Sequence, residues 1–260
     1  MNAIKKLTLI TIGIILIFPL INTGCKKGED DPFLSLRSRK ARVAGTWKFN
    51  QCEKFIRSDF GTGQNNITLT TTTSDTKKWN EKTSLEGIPD SIVNHNGTVD
   101  YEANFLKFDK YGNFNKIFNY TYEDEIELNE DGDVMRERHI IRQKVSGSWN
   151  FLGSVEDEYK NKERMVLNLE SVEIRHRIDT LIVLSDAEAA AIPSYHTKSE
   201  TVETKSYANG EINEIWHLSM LKNKEIHMER NFYNNINVIQ TSTSEISQTE
   251  AGYEKMVLKQ

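Results

Sequence analysis

The chain has 260 residues and a formal charge of −5, with 33 Lys and Arg against 38 Asp and Glu. An acidic balance argues against nucleic acid, which needs a basic face, and neither glycine-rich fingerprint of the polyphosphate-binding enzymes occurs. The only cysteines are Cys25 and Cys52; with Cys25 otherwise engaged, a disulfide framework and a cysteine-built zinc site are both excluded.

The N-terminus carries Lys5 and Lys6, an apolar run from Leu7 to Ile21, and then Asn22-Thr23-Gly24-Cys25. A basic start, an apolar core of about 15 residues and small residues before a cut are the build of a secretory signal. The run falls short of the roughly 20 residues a spanning helix needs, and Pro19 strains a helix near its end. Ile21-Asn22-Thr23-Gly24-Cys25 resembles the bacterial lipobox, where a peptidase cuts before the cysteine and its thiol carries diacylglycerol; Asn22 stands where that motif prefers leucine. The resemblance implies a signal peptide over residues 1–24 and a membrane anchor made by lipid on Cys25. Each buried CH₂ contributes about 0.8 kcal/mol, so more than one acyl chain is needed for a stable anchor. Cleavage removes Lys5 and Lys6 and takes the charge from −5 to −7.

Lys26-Lys27-Gly28-Glu29-Asp30-Asp31-Pro32 is too polar to fold alone, and residues 25–42 are expected to form the lipidated cysteine and a flexible tether. A lysine followed by acidic residues resembles the signal that directs Bacteroidetes-type lipoproteins to the outer face of the outer membrane. The expected address is therefore the cell outer membrane, facing either the periplasm or the cell surface.

Residues 43–260 hold only two prolines, Pro89 and Pro193, and no dividing linker, so one domain is expected. Trp47, Phe49, Gln51, Glu53 and Phe55 alternate with polar neighbours, which predicts a strand with one apolar face. Cys52, among Trp47, Phe49 and Phe55, is expected to be a buried and inert thiol. Ile67 to Thr73 is rich in β-branched residues. Val99, Tyr101, Ala103 and Phe105 alternate as another strand. Asp109 to Asn113 carries turn chemistry, and Phe114, Lys116, Phe118, Tyr120 and Tyr122 follow at spacing two, which reads as a hairpin. Further strands are predicted over residues 134–145, 148–152, 165–174, 180–184, 212–221, 226–233 and 253–258, with a hairpin tip at Lys222 to Glu225. Ser185-Asp186-Ala187-Glu188 fits a capping box before three alanines, so one short helix is expected near residues 185–191. Residues 82–98 and 195–210 read as polar loops between strands.

About ten antiparallel strands must close into a barrel or stack, because open edges invite aggregation. The fold class expected is all-β: an antiparallel meander forming a barrel or partly open barrel, with the one short helix.

Gly45-Thr46-Trp47 opens the folded region, and Gly147-Ser148-Trp149 repeats the pattern. With the hairpins Leu106-Lys107-Phe108 to Gly112-Asn113-Phe114 and Leu218 to Ile226, these motifs resemble the lipocalins. They resemble more closely the lipocalin-like lipoproteins of Bacteroidetes. The resemblance implies a barrel that takes a small apolar or amphipathic ligand. In lipocalins an arginine of the last strand packs on the first tryptophan; Tyr253 to Lys259 offers lysines instead, which speaks against a closed eight-stranded barrel.

Chemistry is otherwise sparse, and neither enzymatic activity nor a cofactor is expected. His95, His139, His176, His196, His217 and His227 form no helical i, i+4 pair; only His217 and His227, across a hairpin, could share a two-ligand site. Asn129 to Asp133 lacks the EF-hand Gly and Glu and reads as a turn. Glu123-Asp124-Glu125 and Glu156-Asp157-Glu158 offer carboxylates without an evident opposed pair. Asp90-Ser91-Ile92 and Asp179-Thr180-Leu181 match a short O-glycosylation pattern of exported Bacteroidetes proteins. Trp47, Phe118, Tyr120, Trp149 and Trp216 are the candidate ligand contacts. The competing reading is an interaction lipoprotein with a filled barrel core, whose loops at 82–98 and 195–210 meet an envelope protein partner.

Overall fold

The computed structural model describes residues 38–59, 65–73, 78–88, 92–100, 102–127, 134–153, 163–183, 195–240 and 245–260. The signal segment, Cys25, the turn at 129–133, the carboxylates at 156–158, Asp90-Ser91 and the helix expected at 185–191 lie outside these residues. The elements are α1 (Arg39–Val43), β1 (Gly45–Asp59), β2 (Asn65–Thr73), β3 (Lys78–Leu85), β4 (Val93–Val99), β5 (Phe105–Phe108) and β6 (Asn113–Glu127). They continue with β7 (Val134–Phe151), β8 (Arg164–Val183), β9 (His196–Ser206), β10 (Ile212–Leu221), β11 (Glu225–Gln240) and β12 (Glu245–Lys259). All twelve strands belong to one antiparallel sheet.

At one end that sheet closes. β1 pairs with β5, β5 with β6, β6 with β7, β7 with β8, β8 with β10, β10 with β11, β11 with β12, and β12 with β1. A ring of eight strands results, although the last strand supplies no arginine. Above this base the wall changes: β2, β3 and β4 take the place of β5 between β1 and β6, and β9 takes the place of β10 beside β8. Among the described residues no pairing joins β9 to β11, so the upper part is a flared, partly open cup.

The base is filled. Trp47, Trp149, Trp216, Phe108, Phe114, Leu106, Met165, Leu218, Ile226, Met228, Met256 and Leu258 are all buried there, each contributing about 1.5–3 kcal/mol relative to exposure. Residues expected to end the tether close the bottom. Ser38 caps α1 by accepting from the Ala41 amide (3.2 Å), Arg42 donates from Nη1 to the Leu221 carbonyl (2.6 Å), and Trp47 Nε1 donates to the Val43 carbonyl (2.7 Å). Residues 38–42, expected to belong to the tether, are thus packed on the barrel. The second tryptophan fastens the β5–β6 turn: Trp149 donates its amide to Gly112 O (2.6 Å) and its Nε1 to Asp109 O (3.1 Å). Asp109 accepts from the amide and side chain of Asn113 and from the Tyr111 amide, which holds its carboxyl below the ordinary value, and Gly112 takes the left-handed conformation (φ 104°) that favours glycine.

Three features depart from the sequence reading. The polar stretches at 82–98 and 195–210 are largely strand, forming the end of β3, β4 and β9; β9 is exposed along its whole length, so it has no apolar face to betray it. The run from Val99 to Phe105 is broken, because Asp100 Oδ1 accepts from the Ala103 amide (3.1 Å) and Asp100 O from the Asn104 amide (3.0 Å). Asn104 then clasps the Asn119 backbone through both side-chain atoms, setting β5 apart from β4. Finally, single extra residues shift the register: Asn50 in β1, Glu170 in β8 and Ser219 in β10. Each such bulge reverses which side chains face inward. In β1, Phe49 points inward, but beyond the bulge Cys52, Lys54 and Ile56 do so, not Gln51, Glu53 and Phe55.

Gly147, the glycine of the second Gly-x-Trp, sits where β7 crosses the β8 bulge. A Cβ there would lie 1.9 Å from the Asn168 carbonyl oxygen and 3.0 Å from Phe114. Gly147→Val is expected to cost about 3 kcal/mol through overpacking, read as a lowered urea midpoint at unchanged slope.

Candidate ligand site

The cup follows from the base by one step of strand periodicity. Two residues beyond Met256 is Glu254, two beyond Met228 is Arg230, and two beyond Phe114 is Lys116. Side chains on one face repeat every second residue, so a charged layer lies directly on the apolar one. Above it is a cavity of about 330 Å³. Its apolar lining is Phe49, Phe118, Val145, Leu169 and Val172, with Phe49 and Phe118 edge to face at 5.4 Å. One wall is Trp79 stacked on Tyr120 at 4.4 Å, and Thr68, Thr70 and Thr72 of β2 complete it.

The charged layer is cross-linked. Arg230 donates from Nε (3.1 Å) and Nη2 (2.8 Å) to Glu254 Oε2, and Nη2 lies 3.0 Å from Glu214 Oε1. Lys116 Nζ is 3.6 Å from Glu254 Oε1. Trp216 Nε1 donates to Glu214 Oε2 (3.1 Å), and its ring lies 5.0 Å beneath the Arg230 guanidinium. Burial opposes the charge on Glu254, but Lys116, Arg230 and Lys54 together outweigh it and hold the carboxyl down to about 2. Burial also disfavours the Lys116 ammonium, and Glu254 and Glu214 more than compensate, so its pKa is raised. Cys52 is half-buried and faces the cavity; burial, then Glu254, pushes its thiol up to about 12. At neutral pH it is a thiol and a poor nucleophile. Burial likewise raises the Tyr120 phenol.

Further up the same concave face runs a ladder of rings. Tyr122 stacks between His95 (4.9 Å) and His139 (4.6 Å) and also meets Trp79 (5.3 Å). His139 Nδ1 is 2.9 Å from His176 Nε2, while His139 Nε2 is 3.4 Å from Asp124 Oδ2, and His95 Nε2 is 3.7 Å from Asp124 Oδ1. His139 Nδ1 can accept from His176 Nε2–H, while His139 Nε2 is buried and makes no hydrogen bond among the described residues, with Asp124 Oδ2 the near carboxylate at 3.4 Å. The rings cover one another's faces, so their edges, not their faces, line the cup.

Of the residues singled out in the sequence, Phe118 and Tyr120 line the cavity. Trp47, Trp149 and Trp216 do not: they are 0, 2 and 0 % exposed in the packed base, where they fill the barrel and fasten its turns. Sequence reasoning missed Trp79, Lys54, Lys116, Arg230 and Glu254. Lys116 carried a signal, since it interrupts an otherwise aromatic alternation; Arg230 and Glu254 continue the inward faces of β11 and β12. His217 and His227 share no site: His217 meets Glu229 (3.4 Å) and His227 meets Glu225 (2.7 Å). Glu123 and Glu125 pair with Arg138 and Arg136, whereas Asp124 turns to the histidines. Asp179 is buried in β8 and held by Arg177 and Thr197. Among the described residues no three His, Cys, Asp or Glu side chains are arranged to hold a metal, and no helix is long and apolar enough to cross a membrane. Comparison with protein-family models, with characterised proteins and with solved structures gives no significant match.

The ladder sets a pH dependence. Burial lowers the His139 pKa, the neighbouring His176 and His95 add to this, and Asp124 and Glu137 oppose it incompletely. The folded chain therefore favours the neutral imidazole, and the unfolded chain takes up the proton first. Stability is expected to fall as pH drops below the ordinary value of 6.5. In His139→Gln the urea midpoint should change less between pH 7.5 and pH 5.5 than in the parent; an unchanged difference would refute this role.

Proposed function

We propose that this chain is a lipid-anchored, lipocalin-like binding protein that holds a small amphipathic molecule in the cup above its filled base. The observation that carries the reading is the cavity of about 330 Å³ with aromatic walls and a charged floor. Small-molecule sites are mostly apolar clefts of about 300–1,000 Å³ with a few polar groups that fix orientation. A wholly apolar guest would strip water from Lys54 and Lys116 without replacing its hydrogen bonds, so an amphipathic guest fits better than an apolar one. The role is binding rather than catalysis: the cavity thiol is far from its thiolate range, and His139 spends Nδ1 on His176. Native mass spectrometry of the protein purified from its own membrane should find a small molecule released on unfolding. Its absence, together with failure to bind any amphipathic dye, would overturn the reading.

The anchor belongs to the same proposal. The lipobox-like Ile21 to Cys25 and the acidic residues after Lys27 support lipid on Cys25 and an outer-membrane address. Radioactive palmitate should label the chain and be lost in Cys25→Ala; persistent label would refute lipidation there. The competing role, an envelope interaction module, draws support from the packed base and from β9, exposed along all of its 11 residues, as the surface for a protein partner.

A further inference from the structure

The hydrogen-bonding capacity of the cavity floor is lopsided. The lining carries three cations, Lys54, Lys116 and Arg230, and three carboxylates, Glu81, Glu214 and Glu254. The carboxylates are all engaged. Glu254 accepts from Arg230 on Oε2, with Lys116 3.6 Å from Oε1; Glu214 takes Arg230 and the Trp216 indole. Glu81 stands apart on the wall, accepting from Thr70 (3.4 Å) with His95 at 4.0 Å. Arg230 is engaged by both floor carboxylates.

The two ammonium groups are not used up in this way. Lys116 lies at ion-pair distance from Glu254 but beyond hydrogen-bond reach, at 3.6 Å. Among the described residues Lys54 meets no carboxylate at ion-pair distance, although its charge is felt by Glu254; its ammonium lies 6.0 Å from the Phe232 ring centroid. An ammonium has three donors and no acceptor. The floor therefore offers two ammonium groups, each with three N–H donors, that no hydrogen bond among the described residues engages, beneath walls of Phe118, Tyr120 and Trp79. The lining is formally balanced, three cations to three carboxylates, but Arg230 is bound to both floor carboxylates while Lys54 and Lys116 are not hydrogen-bonded to either.

We propose that the cup selects an amphipathic anion, its oxyanion head on Lys54 and Lys116 and its apolar body against Phe118, Tyr120 and Trp79. This rests on the cup being a ligand site and names the class of ligand it takes. A cationic head would be repelled by the two ammonium groups at the floor. A neutral apolar molecule would leave those groups desolvated. A charge-assisted hydrogen bond to an oxyanion is about twice as strong as a neutral one, which sets the direction of selectivity.

The test uses two dyes of the same skeleton, 8-anilinonaphthalene-1-sulfonate and the uncharged N-phenyl-1-naphthylamine, titrated by fluorescence against the whole protein. The sulfonate should bind at least about tenfold tighter, a difference of the size one charge-assisted hydrogen bond produces. Lys54→Gln should remove that advantage while leaving the uncharged dye unchanged, and Lys54→Arg should keep it. Thr70→Phe, which fills the cup, should weaken both. Equal affinity for the two dyes, with both lost in Thr70→Phe, would overturn the anion preference and leave the cup standing. Binding of neither dye, or sulfonate binding that survives Thr70→Phe, would overturn the cup and this inference together.

Discussion

The Glu254 carboxylate decides where the core of this protein ends. It sits on top of Met256 and Trp216, 4 % exposed, and is tolerable there only because Arg230 and Lys116 meet its two oxygens. Replacing a buried ion pair by apolar side chains often leaves stability unchanged or improved, so this layer is poor evidence of stabilisation. Its consequence is geometric. A Leu or Met at positions 116, 230 and 254 would extend the apolar base upward; charges there keep a polar floor under the cavity. Removing one partner alone would strand a buried charge, which is why the three residues must be understood as a set.

The sheet makes that floor possible by changing its own membership. At the level of Trp47 and Phe108 the short β5 bridges β1 and β6 in four residue pairs, and the ring is narrow enough for three indoles and two phenyl rings to fill. One or two rungs higher, β2, β3 and β4 replace it, three strands where there was one, and the wall moves outward. Asn104 enforces the change: its side chain occupies the Asn119 backbone groups that a longer β5 would have paired. Diameter grows with strand number, so the flare follows from the strand order.

Legibility in the sequence followed apolar periodicity. The hairpin from Phe105 to Tyr122, the β10–β11 tip at Lys222 to Glu225 and the inward aromatics of β6 could be read directly, because one face of each strand is buried and period-two contrast is strong. The all-β, partly open barrel was legible for the same reason. The strands β3, β4 and β9 were not, since Lys78 to Leu85, Val93 to Val99 and His196 to Ser206 have little or no apolar face and look like loops. Phase was lost for a different reason. A bulge leaves no mark in composition, so Asn50 silently exchanges Glu53 for Lys54 on the interior, and with it half of the candidate site. Tryptophans misled in the opposite sense: they signal large apolar contact, and Trp47, Trp149 and Trp216 make that contact with the core and with backbone carbonyls.

The two halves of the barrel also differ in what holds them. The base has its hydrogen-bonded ring, an apolar interior and α1 across its bottom. The cup walls have long ladders but few buried apolar side chains, and their outer face is laced by pairs such as Arg136 with Glu125 and Arg175 with Glu200, each worth little at a solvated surface. Regions with few buried apolar contacts and exposed backbone hydrogen bonds open at lower free energy than a packed core. Fluctuations should accordingly concentrate in β3, β4 and β9, the strands that ring the mouth of the cavity. The base is packed with apolar side chains and the walls above it are not, so under the proposed binding role a guest would enter through the walls without unfolding what holds the barrel closed, and the charged layer at Glu254 marks the boundary between them.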